Sequence, residues 1–189
     1  MLFYDNNGRV IDYTRIEADE VNQAKQYIQE DDRVLELGAR FGGVACHTNK
    51  KLKNKTSHHC VEPDKSVREA LESNKLAHNC HFNIIKGTIS KKPQKIQGTS
   101  WSTHTVEDPN SDIPNYPIPD CDFNVLIADC EGFLETFYNE NKDFFKQLRL
   151  ILFEKDMPHR CDYDYLVKEF IQLGFKPVEN SFHSVFIKE

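Results

Sequence analysis

The sequence predicts an α/β fold: a mainly parallel sheet with helices on both faces and an antiparallel hairpin at the C-terminal end. Three observations predict it. Short apolar runs without polar alternation recur along the chain, as expected of strands buried on both sides. Segments of helical periodicity separate them, so consecutive strands are joined by right-handed crossovers and run parallel. A glycine-rich turn follows the first buried run, where parallel sheets hold their ligands.

Leu2 to Tyr13 alternates apolar and polar residues around Asn6-Asn7-Gly8, a hairpin signal. Ile16, Val21, Ala24 and Ile28 recur at helical spacing, which predicts an amphipathic helix over 16–30. Arg33–Gly38 is the first buried strand, and a helix follows from Gly43 to about Lys53. His58–Glu62 is the second strand. Pro63-Asp64 then opens a helix through Val67, Ala70, Leu71 and Leu76, proline suiting its first turn. His81–Lys86, Asp122–Ala128 and Leu148–Glu154 are strands three to five. One helix over 133–147 joins the last two. Another covers Tyr163–Leu173 and stops at Gly174, and 175–179 with 182–188 form the terminal hairpin.

Residues 87–120 break this rhythm. Their periodicity is weak, and 107–120 holds four of the eight prolines and four acidic residues without a basic one. A connection that long is either a mobile surface loop or a wall or lid of a substrate pocket.

The 189 residues fit one domain, 1–189, with 1–30 as an N-terminal hairpin and helix and 87–120 as an insertion on the substrate side. Thirteen phenylalanines supply core material for a chain of this size. With 24 Lys+Arg against 30 Asp+Glu the net charge is −6, which argues against a nucleic-acid partner. No apolar run is long enough to cross a membrane, and Met1–Asp5 lacks a secretory pattern, so a cytoplasmic location is expected. The six cysteines have no metal-finger spacing and read as reduced and mostly buried, zinc coordination being the alternative. The basic run Lys50, Lys51, Lys53 and Lys55 reads as a solvated helix end, with anion binding as the alternative.

Three sites carry chemistry. Glu36-Leu37-Gly38-Ala39-Arg40-Phe41-Gly42-Gly43 joins a strand to a helix, so free amides and a positive dipole end face a ligand. Its spacing is neither that of a dinucleotide fingerprint nor that of a P-loop. Glu62 ends strand two, where a carboxylate either accepts from both hydroxyls of a ribose or caps the next helix. Asp129-Cys130-Glu131-Gly132 ends strand four, which in the expected strand order lies beside strand one. Asp129 there either serves the crevice or caps the following helix.

The stretches VLELGARFGGVA (34–45), VEPDKSVREALESNKLAHN (61–79), VLIADCEGFLETF (125–137) and LILFEKDMP (150–158) resemble the FkbM family of S-adenosylmethionine-dependent methyltransferases. The likeness spans roughly 33–175. Glu36 stands where that family usually has Asp, and Cys130 where it usually has Val. The resemblance implies a Rossmann-like class I methyltransferase sheet, S-adenosylmethionine (SAM) as cofactor, and O-methylation of a sugar, glycan or other small-molecule hydroxyl. An RNA or protein methyltransferase and a catalytically silent binding module on the same fold are the alternatives.

On that reading Glu36, Gly38, Ala39, Arg40 and Phe41 shape the methionine half of the cofactor site. Glu62 takes the ribose, Pro63 packs on the adenine, and Thr88, in the turn after strand three, borders it. Asp129 serves the cofactor's ammonium group or the acceptor. Candidates for the general base are Asp129, Glu131, Glu154 and His159, the last two alternatively a surface ion pair and a solvated loop histidine. Trp101 either stacks on the acceptor or fills the core. No metal is expected, because no oxygen ligand downstream of strand five matches the Asp129–Glu131 stretch.

Overall fold

The computed structural model describes residues 1–13, 15–98 and 103–188, so Trp101 lies outside the described residues. The chain opens with a short antiparallel pair, β1 (Phe3–Tyr4) and β2 (Val10–Ile11), then α1 (Ala18–Tyr27). The first half of the central sheet follows as β3 (Val34–Leu37), α2 (Gly43–Lys51), β4 (His58–Val61), α3 (Arg68–Ala77) and β5 (Asn83–Ile85). Next come four short strands, β6 (Thr88–Ile89), β7 (Gln94–Gln97), β8 (His104–Glu107) and β9 (Asn115–Tyr116). The second half is β10 (Val125–Ala128), α4 (Leu134–Glu140), α5 (Lys142–Lys146), β11 (Leu150–Glu154), α6 (Tyr163–Gln172), β12 (Lys176–Asn180) and β13 (His183–Ile187).

The seven-stranded sheet runs β12-β13-β11-β10-β3-β4-β5. β13 is antiparallel to both its neighbours and the other pairings are parallel. β3 and β10 lie side by side in register, Val34 opposite Val125 and Leu37 opposite Ala128. All four residues of each are buried, as the unalternating apolar runs require. Side-chain alternation splits the core into two layers. Val34, Val125 and Leu150 join the N-terminal hairpin, α1 and α2 on one face. Leu35, Leu126 and Ile151 meet the phenylalanines of α4, α5 and α6 on the other. There Phe145, Phe153, Phe170 and Phe186 pack with ring centroids 5.6–5.8 Å apart.

Three expectations change. The 87–120 segment is not an irregular loop: β7 and β8 form an antiparallel hairpin, and β6 pairs with β9. The helix expected over 133–147 is two helices, because Asn141 leaves the helical region and its amide side chain donates back to the Phe137 carbonyl at 2.9 Å. The helix after Pro63 begins only at Arg68, since the Asp64 side chain accepts from Ser66 N and holds a turn first. All six cysteines are free, and four of them are buried. The lysine run closes a helix end: Lys55 Nζ donates to the Asn49 and Lys50 carbonyls, each at 2.8 Å.

Asn74 of α3 ties the N-terminal hairpin to the glycine turn. It accepts from Tyr4 N and donates to the carbonyls of Tyr4 and Phe41. The opposite end of the sheet is tied by Asp32, buried just before β3. Its carboxylate accepts from Gln29 N, Asn124 Nδ2 and both Nε and Nη2 of Arg149, thus joining the entries of β3, β10 and β11. Asp32→Ala strands these donors, and we expect it to destabilise the fold by about 3 kcal/mol. An unfolding free energy, from denaturant titration, that falls by less than a third of that would assign the network no structural role.

Candidate functional site

Parallel strands end together, so the turns that follow them share one rim. The turns after β3, β4, β10 and β11 here surround a cavity of about 360 Å³. Gly38, Arg40, Glu62, Pro63, Thr88, Asp129, Glu131 and Glu154 line it, and all of these were expected from the sequence. Ile96, Thr103, His104 and Thr105 add a wall from the β7–β8 hairpin, so the insertion is a pocket wall. Arg160, after β11, holds that wall by donating to the Thr105 carbonyl.

The glycine turn is built by close approach. Gly38 has φ +88°, and a Cβ placed on it would lie 1.6 Å from the Asp129 carbonyl oxygen. Only glycine lets the β3 exit and the β10 exit share this space. Gly38 N donates to Val61 O at 3.0 Å, which ties the turn to β4 as well. Glu62 completes the link. It is 5 % exposed, and its two oxygens accept from Arg40 N at 2.6 Å and Asp64 N at 2.8 Å. Burial pushes its carboxyl up to about 7, against the pull of the two amides. Each carboxylate oxygen has two acceptor sites, so one on each remains for a ligand.

The far end of the cavity is crowded with carboxyl groups. Burial raises Glu17 to about 7, with Glu36 adding to the effect, and raises Glu20 to about 9, with Glu17 and Glu154 adding. Asp129 is pushed well above the usual carboxylate range by burial and by Glu20 and Glu154. Burial works against ionised Glu154 too, but His183 and a hydrogen bond with Asp129 hold it low. Of this pair, Glu154 therefore holds negative charge more readily than Asp129. Glu131 reaches about 7, through burial and then Asp156 and Glu154. Its backbone is left-handed at φ 51°, which turns the segment after β10 back into the cavity.

Four expected site residues lie elsewhere. Glu36 is 2 % exposed and points to the opposite sheet face, where its Oε2 meets His58 Nε2 at 2.8 Å. It sits two residues before Gly38 on an extended strand, and alternation sends its side chain away from the rim. Ala39 and Phe41 are buried in the core on that face. His159 is exposed on the loop after β11, in a separate depression with Lys155 and Arg160, so it cannot act as base in this cavity. Sequence reasoning missed Glu17, Glu20 and His183, all of which line the cavity. A signal existed: Glu17 and Glu20 fall at i and i+3 on the helical face that carries Val21 and Ala24, where acids are out of place.

No protein-family model matches the chain, and no curated protein does. Solved structures of methyltransferases share its fold. The precorrin-6y C5,15-methyltransferase of Geobacter metallireducens has a TM-score of 0.56 at 12 % identity, covering 92 % of this chain and 86 % of that one. The ribosomal protein L11 methylase of Lactobacillus delbrueckii subsp. bulgaricus has 0.55 at 9 %, covering 91 % and 78 %. An rRNA methylase of Streptococcus thermophilus has 0.54 at 9 %, covering 90 % and 94 %. The fold is the Rossmann-like class I methyltransferase fold. Among the described residues no helix is long and apolar enough to cross a membrane.

Gly38 is the position this site tolerates least. Gly38→Ala adds left-handed strain to a collision with backbone, and we expect a loss of about 2–5 kcal/mol. Thermal or denaturant unfolding measures it, and a stability within 1 kcal/mol of wild type (about the size of an ordinary surface change) would mean the two strand exits separate freely.

Proposed function

We propose that this protein is a SAM-dependent methyltransferase of the FkbM type that methylates a hydroxyl of a sugar, glycan or other small molecule. One observation carries the reading. The class I strand order brings the Gly38 turn, Glu62 and the carboxyl groups after β10 and β11 around a single cavity. The motif likeness of 34–45, 61–79 and 125–137 supports the family, and the shared fold supports the cofactor.

The residues present fit that cofactor. Glu62 offers two free acceptor sites to ribose hydroxyls, and Pro63 and Thr88 line the cavity beside it. Gly38 and Arg40 line the methionine side, and Asp129 faces it from β10. Bound SAM supplies an activated methyl group, transferred as its carbon–sulfur bond breaks and the sulfur keeps the electron pair. The protein's part is to align the acceptor oxygen, exclude water and take the hydroxyl proton. Glu131 is the residue we assign to the proton. It lines the cavity, and its affinity for a proton lies near neutrality, where a base accepts and releases most readily. The many carboxyl groups around the cavity repel a phosphate backbone, which supports a small acceptor over RNA.

Glu62 makes cofactor affinity depend on pH in a definite direction. Its folded-state carboxyl titrates near 7, above the ordinary value, so the free protein loses stability from this group as pH rises through 7. Ligand affinity moves the other way, because the ionised carboxylate is the better acceptor. S-adenosylhomocysteine should bind about tenfold more tightly at pH 8 than at pH 6. In Glu62→Gln binding should be weaker and this dependence smaller, the share of Glu17 and Glu131 near 7 remaining. Calorimetry across that range tests both, and equal affinities for the two proteins at pH 8 would remove Glu62 from the site.

The activity itself is tested with labelled SAM and a panel of glycans, small hydroxyl compounds and RNA. Label should pass to a hydroxyl compound and not to RNA. With that acceptor, Glu131→Gln should lower kcat by ~10²–10⁴-fold while S-adenosylhomocysteine binds nearly as before. A kcat within threefold of wild type would move the proton to another group.

A further inference from the structure

The carboxyl groups at the far end of the cavity are arranged around a histidine that the methyl-transfer reading leaves without a task. His183 opens β13, the antiparallel strand beside β11, and Glu154 closes β11 directly opposite it. Glu20 reaches the same point from α1. The Nε2 of His183 lies 3.4 Å from Glu154 Oε1 and 3.8 Å from Glu20 Oε2, and the three atoms all lie within 4.8 Å of one another. These separations are long for hydrogen bonds, which peak near 2.9 Å. Donors about 2.1 Å from a metal sit about 3.0–3.5 Å apart in octahedral or tetrahedral geometry; the Glu154 pair already has that separation, and the Glu20 pair exceeds it by about 0.3 Å.

A second observation points to a ligand. Glu20 is 9 % exposed, and its Oε2 is buried without a hydrogen-bond partner while lining the cavity. His183 Nε2, at 3.8 Å, is beyond hydrogen-bond reach, so the acceptor capacity of this buried oxygen is left unused toward the cavity. A third concerns the histidine. Its other nitrogen, Nδ1, faces Asp19 Oδ2 at 3.4 Å, so a carboxylate stands behind the ring and Nε2 is the nitrogen turned to Glu20 and Glu154. That is how metal-binding histidines are oriented. The backbone is fixed too, because Ser181 Oγ and Gln23 Nε2 both donate to the His183 carbonyl.

We propose that Glu20, Glu154 and His183 hold a divalent transition cation at the acceptor end of the cavity. Two carboxylate oxygens and one imidazole suit Mn²⁺, Fe²⁺ or Zn²⁺, and Mg²⁺ prefers an all-oxygen set. Asp129 and Asp156 lie beside Glu154, and Glu17 lies beside Glu20, so the three ligands sit among further carboxyl groups. Three protein ligands leave positions open toward the cavity. The site stands on this geometry alone, and only the task of the ion rests on the methyltransferase reading. There it would bind the acceptor oxygen and lower its proton affinity, with Glu131 receiving the proton. Sequence spacing could not connect these ligands, since they come from α1, β11 and β13.

Manganese binding tests the site without any turnover. The full chain is stripped with a chelator and titrated with Mn²⁺, free ion being read by electron paramagnetic resonance, and Zn²⁺ is titrated by calorimetry. One ion per chain is expected, displaced by Zn²⁺ and not by equimolar Mg²⁺. His183→Ala and Glu20→Gln should each weaken binding at least tenfold. Asp19→Asn, an exposed change that leaves all three ligands, should weaken it about tenfold through the ring orientation. S-adenosylhomocysteine binding is measured on the same samples. Retained nucleoside binding with no Mn²⁺ or Zn²⁺ uptake at millimolar ion, or uptake unchanged in both His183→Ala and Glu20→Gln, overturns the metal site and leaves the methyltransferase reading standing. Ion uptake without nucleoside binding does the reverse.

Discussion

Where β3 and β10 leave the sheet, their backbones come closer than any side chain allows. The missing Cβ of Gly38 makes room for the carbonyl of Asp129, and from that contact the cavity takes its shape. The chain after β10 is held against the glycine turn, so Glu131 and Gly132 must both adopt left-handed backbone to carry it onward into α4. On the other side Glu62 fastens Arg40 N and Asp64 N, which sets the distance from the turn to the β4 exit. Three strand ends are thereby locked by one glycine and one carboxylate. Any ligand in the cavity meets this floor, and its remaining contacts come from the β7–β8 wall and the side chains at the start of α1.

The second organising feature is electrostatic. Glu17, Glu20, Asp129, Glu131 and Glu154 line the cavity's rim from different elements, and burial with mutual repulsion raises four of the five. An assembly of this kind costs stability in the free protein. It returns that cost when positive charge enters, whether as a sulfonium and ammonium on a cofactor or as an ion beside His183. Ligand binding should accordingly stabilise this fold more than its contact area alone would suggest.

Much of this was legible along the chain, and the reasons for the rest are specific. Strands such as VLIA and LILF announce themselves because burial on both faces removes polar residues, and the order of elements then gives the sheet. The turn at Gly38 and the acid at 62 follow from where those strands end. Glu36 was misplaced because strand alternation, rather than nearness in sequence, decides which face a side chain serves. His159 shares a loop with the site but not a direction. Glu20, Glu154 and His183 meet only after a helix and an antiparallel strand pack on the same rim, and no local spacing encodes that meeting. The four strands of 88–116 are two to four residues long, too short to show a period.

The two borders of the central sheet are both unsuited to extension. β5 has only three residues, and β12 carries Pro177 with a register shift between Pro177 and Glu179. A proline offers no amide to an incoming strand, and the irregular pairing bends the ladder away from flatness. Neither border is a template for another copy of the chain. Strand addition at the central sheet is therefore disfavoured as a route to self-association, and partly unfolded molecules lose one common route into fibrils as long as β12 stays docked on β13.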